Sequence, residues 1–87
     1  MNLIIIFRGP LAITLGYEKI EYKDEEKSII EIIKKLDNNK GILYDYKLKN
    51  VKSGYIILIN GKDYRLLEDN KIKDGDIIEI IPINHGG

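Results

Sequence analysis

The sequence predicts an α+β fold, a mixed β-sheet with one main helix laid across one face. Three observations predict it. One stretch repeats its apolar residues at helical spacing, with Ile29, Ile32, Ile33 and Leu36 at i, i+3, i+4 and i+7. Around it lie short runs rich in Ile and Tyr, bounded by Gly, Pro, Asn and Asp, which read as strands. The two richest apolar runs, Leu3 to Phe7 and Ile77 to Ile81, stand at opposite ends of the chain. They are the best candidates for the sheet centre, side by side and parallel, because the chain between them makes the crossover that such pairs require.

Asn2 to Arg8 carries Leu3-Ile4-Ile5-Ile6-Phe7, a continuous run that reads as a central strand buried on both faces. Gly9-Pro10 stops it. Leu11 to Tyr22 has two readings. Either a long strand starts near Ala12, or Leu11 to Gly16 is an irregular loop with a helical turn and the strand is Glu18 to Tyr22. Ile20 and Tyr22 alternate with Lys19 and Glu21, and Gly16 is an awkward strand interior, which favours the second. Asp24 is placed to cap the helix, with Glu25 and Glu26 in its first turn and Lys34 and Lys35 towards its negative end. Asp37 to Gly41 ends it. With charge opposite the apolar stripe, this helix must lie on a sheet. Ile42 to Ser53 shows no clear period and reads as a loop. Tyr55 to Ile59 is an apolar strand, Asn60-Gly61 a two-residue hairpin turn, and Lys62 to Leu66 a short strand. Leu67 to Lys73 is a polar connection anchored by Leu67 and Ile72. Asp74-Gly75 then turns tightly, and Asp76 opens the final strand.

Composition bounds the function. Eighty-seven residues make one domain. Fourteen basic and fourteen acidic residues give a formal charge of zero with the signs interspersed, and the Lys47, Lys49, Lys52 cluster is too small to change that. Direct nucleic-acid binding is therefore not expected. Without Cys there is no thiolate chemistry, and the single His85 cannot build a metal site. Asp74 and Asp76 read as turn residues, and Glu25-Glu26 as helix-dipole design. The apolar N-terminal run is too short for a signal segment or membrane span, so a cytoplasmic protein is expected.

What remains is the chain end. Gly86-Gly87 has no side chain to bury and no following chain with which to close a helix cap. It is expected to be a thin, flexible thread ending in a carboxylate, with residues 1–82 as the domain and 83–87 as the tail. In the final strand, alternation puts Ile78 and Ile80 in the core and leaves Ile81 outward with Glu79.

The element order, together with Asn60-Gly61, Lys73-Asp74-Gly75-Asp76 and Pro82 to Gly87, resembles the β-grasp (ubiquitin-like) sulfur carriers. These include the molybdopterin synthase small subunit, the thiamine-pathway carrier, the ubiquitin-related modifier and the archaeal small modifiers. His85-Gly86-Gly87 is similar to the tail of the ubiquitin-related modifier, and Ile80-Ile81-Pro82 to the approach in the molybdopterin synthase subunit. Leu11 to Tyr17 and Ile42 to Ser53 carry no family signature. The resemblance implies that an E1-like adenylyltransferase activates the Gly87 carboxylate with ATP and that a sulfur donor then displaces AMP. The resulting thiocarboxylate serves molybdopterin or thiamine biosynthesis, or tRNA thiolation. Threading Gly86 and Gly87 into a nucleotide site needs the absence of a Cβ. Such a carrier supplies positioning, not acid–base chemistry, so neither a catalytic residue nor a cofactor is expected.

The resemblance also places Ile57 and Ile59 inward and Leu58 outward. Leu58, Ile81 and Ile83, with His85 beside the reactive end, are then the expected partner contacts, for the activating enzyme or a larger synthase subunit. The competing expectation is that Ile42 to Ser53 folds over this patch. Two rival functions stand beside the carrier: a modifier joined through Gly87 to lysines of target proteins, and a β-grasp binding module without tail chemistry.

Overall fold

The computed structural model describes residues 1–83. Its elements in chain order are β1 (Asn2–Phe7), α1 (Pro10–Leu15), β2 (Lys19–Lys23), α2 (Ile29–Asp37), β3 (Tyr44–Asp45), β4 (Asn50–Val51), β5 (Tyr55–Ile59), β6 (Lys62–Asp63) and β7 (Ile77–Pro82). The main sheet has the order β2-β1-β7-β5-β6. β1 and β7 lie parallel at its middle, Ile5 beside Ile78 and Phe7 beside Ile80, and the other pairs are antiparallel. The first and last strands are central, as their composition implies. Among the described residues no helix is long and apolar enough to cross a membrane.

One face of the sheet holds the core. Leu3, Ile5 and Phe7 of β1, Ile57 and Ile59 of β5, and Ile78 and Ile80 of β7 are buried there against Ile29, Ile32 and Ile33 of α2. Each fully buried Ile contributes about 1.5–3 kcal/mol relative to leaving it in water. The helical stripe and the inward set of β5 and β7 are those expected. The first strand differs. It is buried on one face only, with Ile4 and Ile6 half-buried, because α2 covers a single side of the sheet.

Four local differences have plain causes. Asp24 does not cap α2: Ser28 does, its hydroxyl accepting from the Glu31 amide at 3.4 Å. Asp24 instead accepts from the Glu26 amide and from Lys35, and Glu25 meets the N-terminal ammonium. The apolar stripe begins only at Ile29, so a helix started at Asp24 would add a turn with nothing to bury. Leu11 to Gly16 is mostly helix α1, closed by Gly16 in the left-handed conformation. The expected strand from Lys62 stops at Asp63, whose carboxylate takes the Arg65 amide and caps a 3-10 turn over Tyr64–Leu66. Finally, Ile42 to Ser53 is not a plain loop but holds the β3–β4 hairpin, Tyr44 opposite Val51.

That hairpin is organised by one buried acid. Asp37, the last residue of α2, is 1% exposed. Its carboxylate accepts from the amides of Gly41, Ile42 and Leu43 at 2.8, 2.7 and 2.7 Å and from the Tyr46 hydroxyl at 2.8 Å. These bonds fold the chain back under the helix and place Leu43 and Tyr44 in the interior. Burial pushes the Asp37 pKa up, but the Leu43 and Gly41 amides, the Tyr46 hydroxyl and the Ile42 amide outweigh it, and the net shift is below the ordinary carboxylate value. A depressed folded pKa stabilises the fold above the unfolded value of about 3.9, and that contribution is lost as pH falls through the folded pKa. Asp37→Ala is expected to cost about 2–4 kcal/mol in urea unfolding, through amides left without their acceptor. Asp37→Asn should flatten the acid limb of stability against pH below about 4. A variant as stable as the parent, with the same acid limb, would show that the carboxylate does not hold the hairpin.

Candidate functional site

The chain end is approached through β7, and three contacts fix where that strand leaves the sheet. The Ile83 amide donates to the Gly54 carbonyl at 2.7 Å, one residue beyond the strand. Tyr55 lies opposite Pro82 and this bond makes their pairing one without direct hydrogen bonds, so the N–H that proline lacks deprives no β5 carbonyl of a donor. On the other side the Arg8 amide donates to the Ile80 carbonyl at 3.0 Å, and the ladder to β1 ends there. Gly9, at φ +57°, turns the chain out of β1 into α1, and a Cβ on it would lie 3.7 Å from Pro82 Cγ. The root of the tail thus passes between the β1–α1 corner and the turn before β5.

The sheet face opposite α2 runs up to this root. Its side chains are ordered by the register: Ile6, Glu79 and Leu58 form one row, Ile4 and Ile77 a second, Ile81 and Ile56 a third. Leu58 and Ile81 are half-buried diagonal neighbours on adjacent strands, and Ile83 is 37% exposed. The β3–β4 hairpin packs against α2, on the helix side of the sheet, rather than over Leu58 and Ile81. Glu79 is held by Arg8, whose Nε and terminal nitrogen reach one carboxylate oxygen at 3.2 and 2.9 Å. The acid in the middle of this face is therefore paired.

Of the residues expected at the site, Leu58 and Ile81 are diagonal neighbours on the outer face, and Ile83 follows β7 beside Gly54, four residues along from Glu79, which stands opposite Leu58. His85, Gly86 and Gly87 lie outside the described residues. Sequence reasoning missed Ile4, Ile6 and Ile56, which extend the same face. The available signal was that a single helix covers one face only, so every second residue of an all-apolar strand must look outward. Asp74 and Asp76 do turn chemistry: Asp74 takes the Asn2 amide, and Asp76 takes the Lys73 amide and the Asn60 side-chain amide. Among the described residues no group of three or more His, Cys, Asp or Glu converges as a metal ion needs.

A sheet of this order with one helix on one face, and a central last strand running out beside the first, defines a ubiquitin-like β-grasp protein. The ThiS family matches residues 5–87, and the chain belongs to that family. Among solved structures, Urm1 of Sulfolobus solfataricus is 36% identical, with a TM-score of 0.78 over 92% of this chain and 99% of that one. The small archaeal modifier protein 1 of Methanosarcina acetivorans superposes with a TM-score of 0.81 at 22% identity, over 99% of this chain and 96% of that one. A chain of the Amycolatopsis orientalis BexX/CysO complex reaches 0.72 at 22% identity, over 98% of this chain and 99% of that one. At that identity these last two share the fold. No curated protein matches the sequence.

The geometry separates support from decoration at this site. Ile80→Ala, removing a fully buried side chain beside Phe7, is expected to cost about 2–5 kcal/mol in denaturant unfolding. Arg8→Ala should cost under about 1 kcal/mol, because Arg8 is half exposed. Equal costs would mean that the outer face, not the core, holds β7 in place.

Proposed function

We propose that the protein is a sulfur carrier that works through Gly87. An E1-like adenylyltransferase uses ATP to convert the Gly87 carboxylate to an acyl-adenylate. A sulfur donor then displaces AMP to leave a thiocarboxylate, and the sulfur passes to an acceptor in molybdopterin or thiamine biosynthesis or in tRNA thiolation. The observation that carries this reading is the family match running through Gly87, set beside the ladder bond at Ile83. Residues 1–82 serve as the folded support and 83–87 as the segment handed to the enzyme. Leu58, Ile81 and Ile83 contact the partner, with His85 next to the reacting carboxylate. The carrier holds its carboxylate in position and leaves proton transfer and leaving-group chemistry to the enzyme, acting as a non-catalytic component in the cytoplasm. The 36% identity to an Urm1 supports a second reading, a modifier attached through Gly87 to lysines of other proteins, with the same activation step.

Incubation with ATP and the cognate E1-like enzyme tests the shared step. The full chain is expected to form an acyl-adenylate at Gly87 and to support pyrophosphate exchange. Deletion of Gly87 should abolish both while leaving the melting temperature unchanged. Function that survives the deletion would rule out tail chemistry and favour the binding-module alternative.

A further inference from the structure

Two uncharged stretches meet where β7 leaves the sheet. Although 32% of residues in the chain are charged, Gly9 to Tyr17 contains no charged side chain, and neither does Ile80 to Ile83. The parallel pairing of β1 and β7 brings them together, and α1 packs beside β7. Within α1, Leu11 is buried and Ala12 and Leu15 pack on the core. Ile13 looks outward at 85% exposure, the most exposed large hydrophobic side chain among the described residues. Tyr17, its ring tilted at 59° to that of Phe7, is 42% exposed and Ile83 37%. A single exposed Ile is ordinary. Here Ile13, Tyr17 and Ile83 belong to the two segments that meet at the chain exit, and exposed apolar side chains in company mark docking surfaces.

We infer that α1, through Ile13, forms one wall of the docking surface for the protein that activates Gly87, and that this partner presents an apolar patch to it. The inference rests on the function proposed above. Reach identifies the occupant. Gly87 is four residues beyond Ile83, and four residues span at most about 14 Å when fully extended. An enzyme that encloses Gly87 in a nucleotide site must bring its own surface within that distance of Ile83. α1 is six residues long, about 9 Å, and starts next to Pro82, inside that radius. Leu66, another exposed apolar side chain, follows β6, the edge strand that stands three places from β1 across the sheet.

The test is steady-state ATP–pyrophosphate exchange by the cognate E1-like enzyme with the parent chain, Ile13→Asp, the milder Ile13→Ser and Leu66→Asp. Ile13→Asp is expected to raise KM for the carrier about tenfold or more, the order that burying one Ile side chain supplies. Its kcat and melting temperature should be unchanged, Ile13→Ser should shift KM in the same direction by less, and Leu66→Asp should change nothing. An unchanged KM for both Ile13 variants overturns the inference and leaves the Gly87 reading intact, since the adenylate still forms. An equal rise for Leu66→Asp also overturns it, because the effect would then belong to added charge and not to place. No exchange with the parent chain removes the Gly87 reading, and this inference with it.

Discussion

The parallel pairing of β1 with β7 is the constraint on which the rest of the structure depends. It puts the two most apolar strands at the centre of the sheet, where Ile5 and Ile78, then Phe7 and Ile80, stand side by side beneath Ile29, Ile32 and Ile33. Because the two strands run the same way, they also finish at the same end. The Gly9 turn and α1, which lead away from β1, are therefore set beside Pro82 and Ile83, where β7 ends. An antiparallel pair would have put the β1–α1 corner at the opposite end of the sheet from the chain exit. The same pairing that builds the core thus builds the surroundings of the tail.

The two faces of the sheet divide the work. The inner face is closed by α2 and supplies stability. The outer face stays half open, with Ile4, Ile6, Ile56, Leu58 and Ile81 around the Arg8–Glu79 pair. A paired acid among half-buried aliphatic groups keeps such a surface wettable without a net charge at its centre. The β3–β4 hairpin could have closed this face, but the Asp37 carboxylate holds it under the helix instead. A buried acid at the end of α2 therefore bears on whether this outer face stays accessible.

Much of this was legible in the sequence, and each part that was not has its own physical cause. The α2 stripe, the Asn60-Gly61 turn with both residues at positive φ, the Asp74-Gly75 turn and the inward Ile78 and Ile80 come from period and turn chemistry, and the inward Ile57 and Ile59 from the resemblance. The hairpin did not, because its order comes from Asp37, a residue outside it that reads as one more helix-ending polar group. Asp24 offered a good capping side chain, and Ser28 prevailed because helix length is set by what can be buried. The strand after Gly61 ended early because Asp63 bonds the Arg65 amide, a local competition that strand alternation does not register. Of the site, Leu58, Ile81 and Ile83 could be read from alternation and resemblance. The neighbourhood of α1 could not, since only the parallel β1–β7 pairing sets the Gly9 corner beside Pro82.

The most direct measurement is the mass of the peptide ending in Gly87, taken from protein isolated from its own cells. The expected result is a population in which sulfur replaces one oxygen of the Gly87 carboxyl group. An unmodified carboxylate throughout, or Gly87 recovered only as a Gly-Gly remnant on lysines of other proteins, would contradict the sulfur-carrier reading.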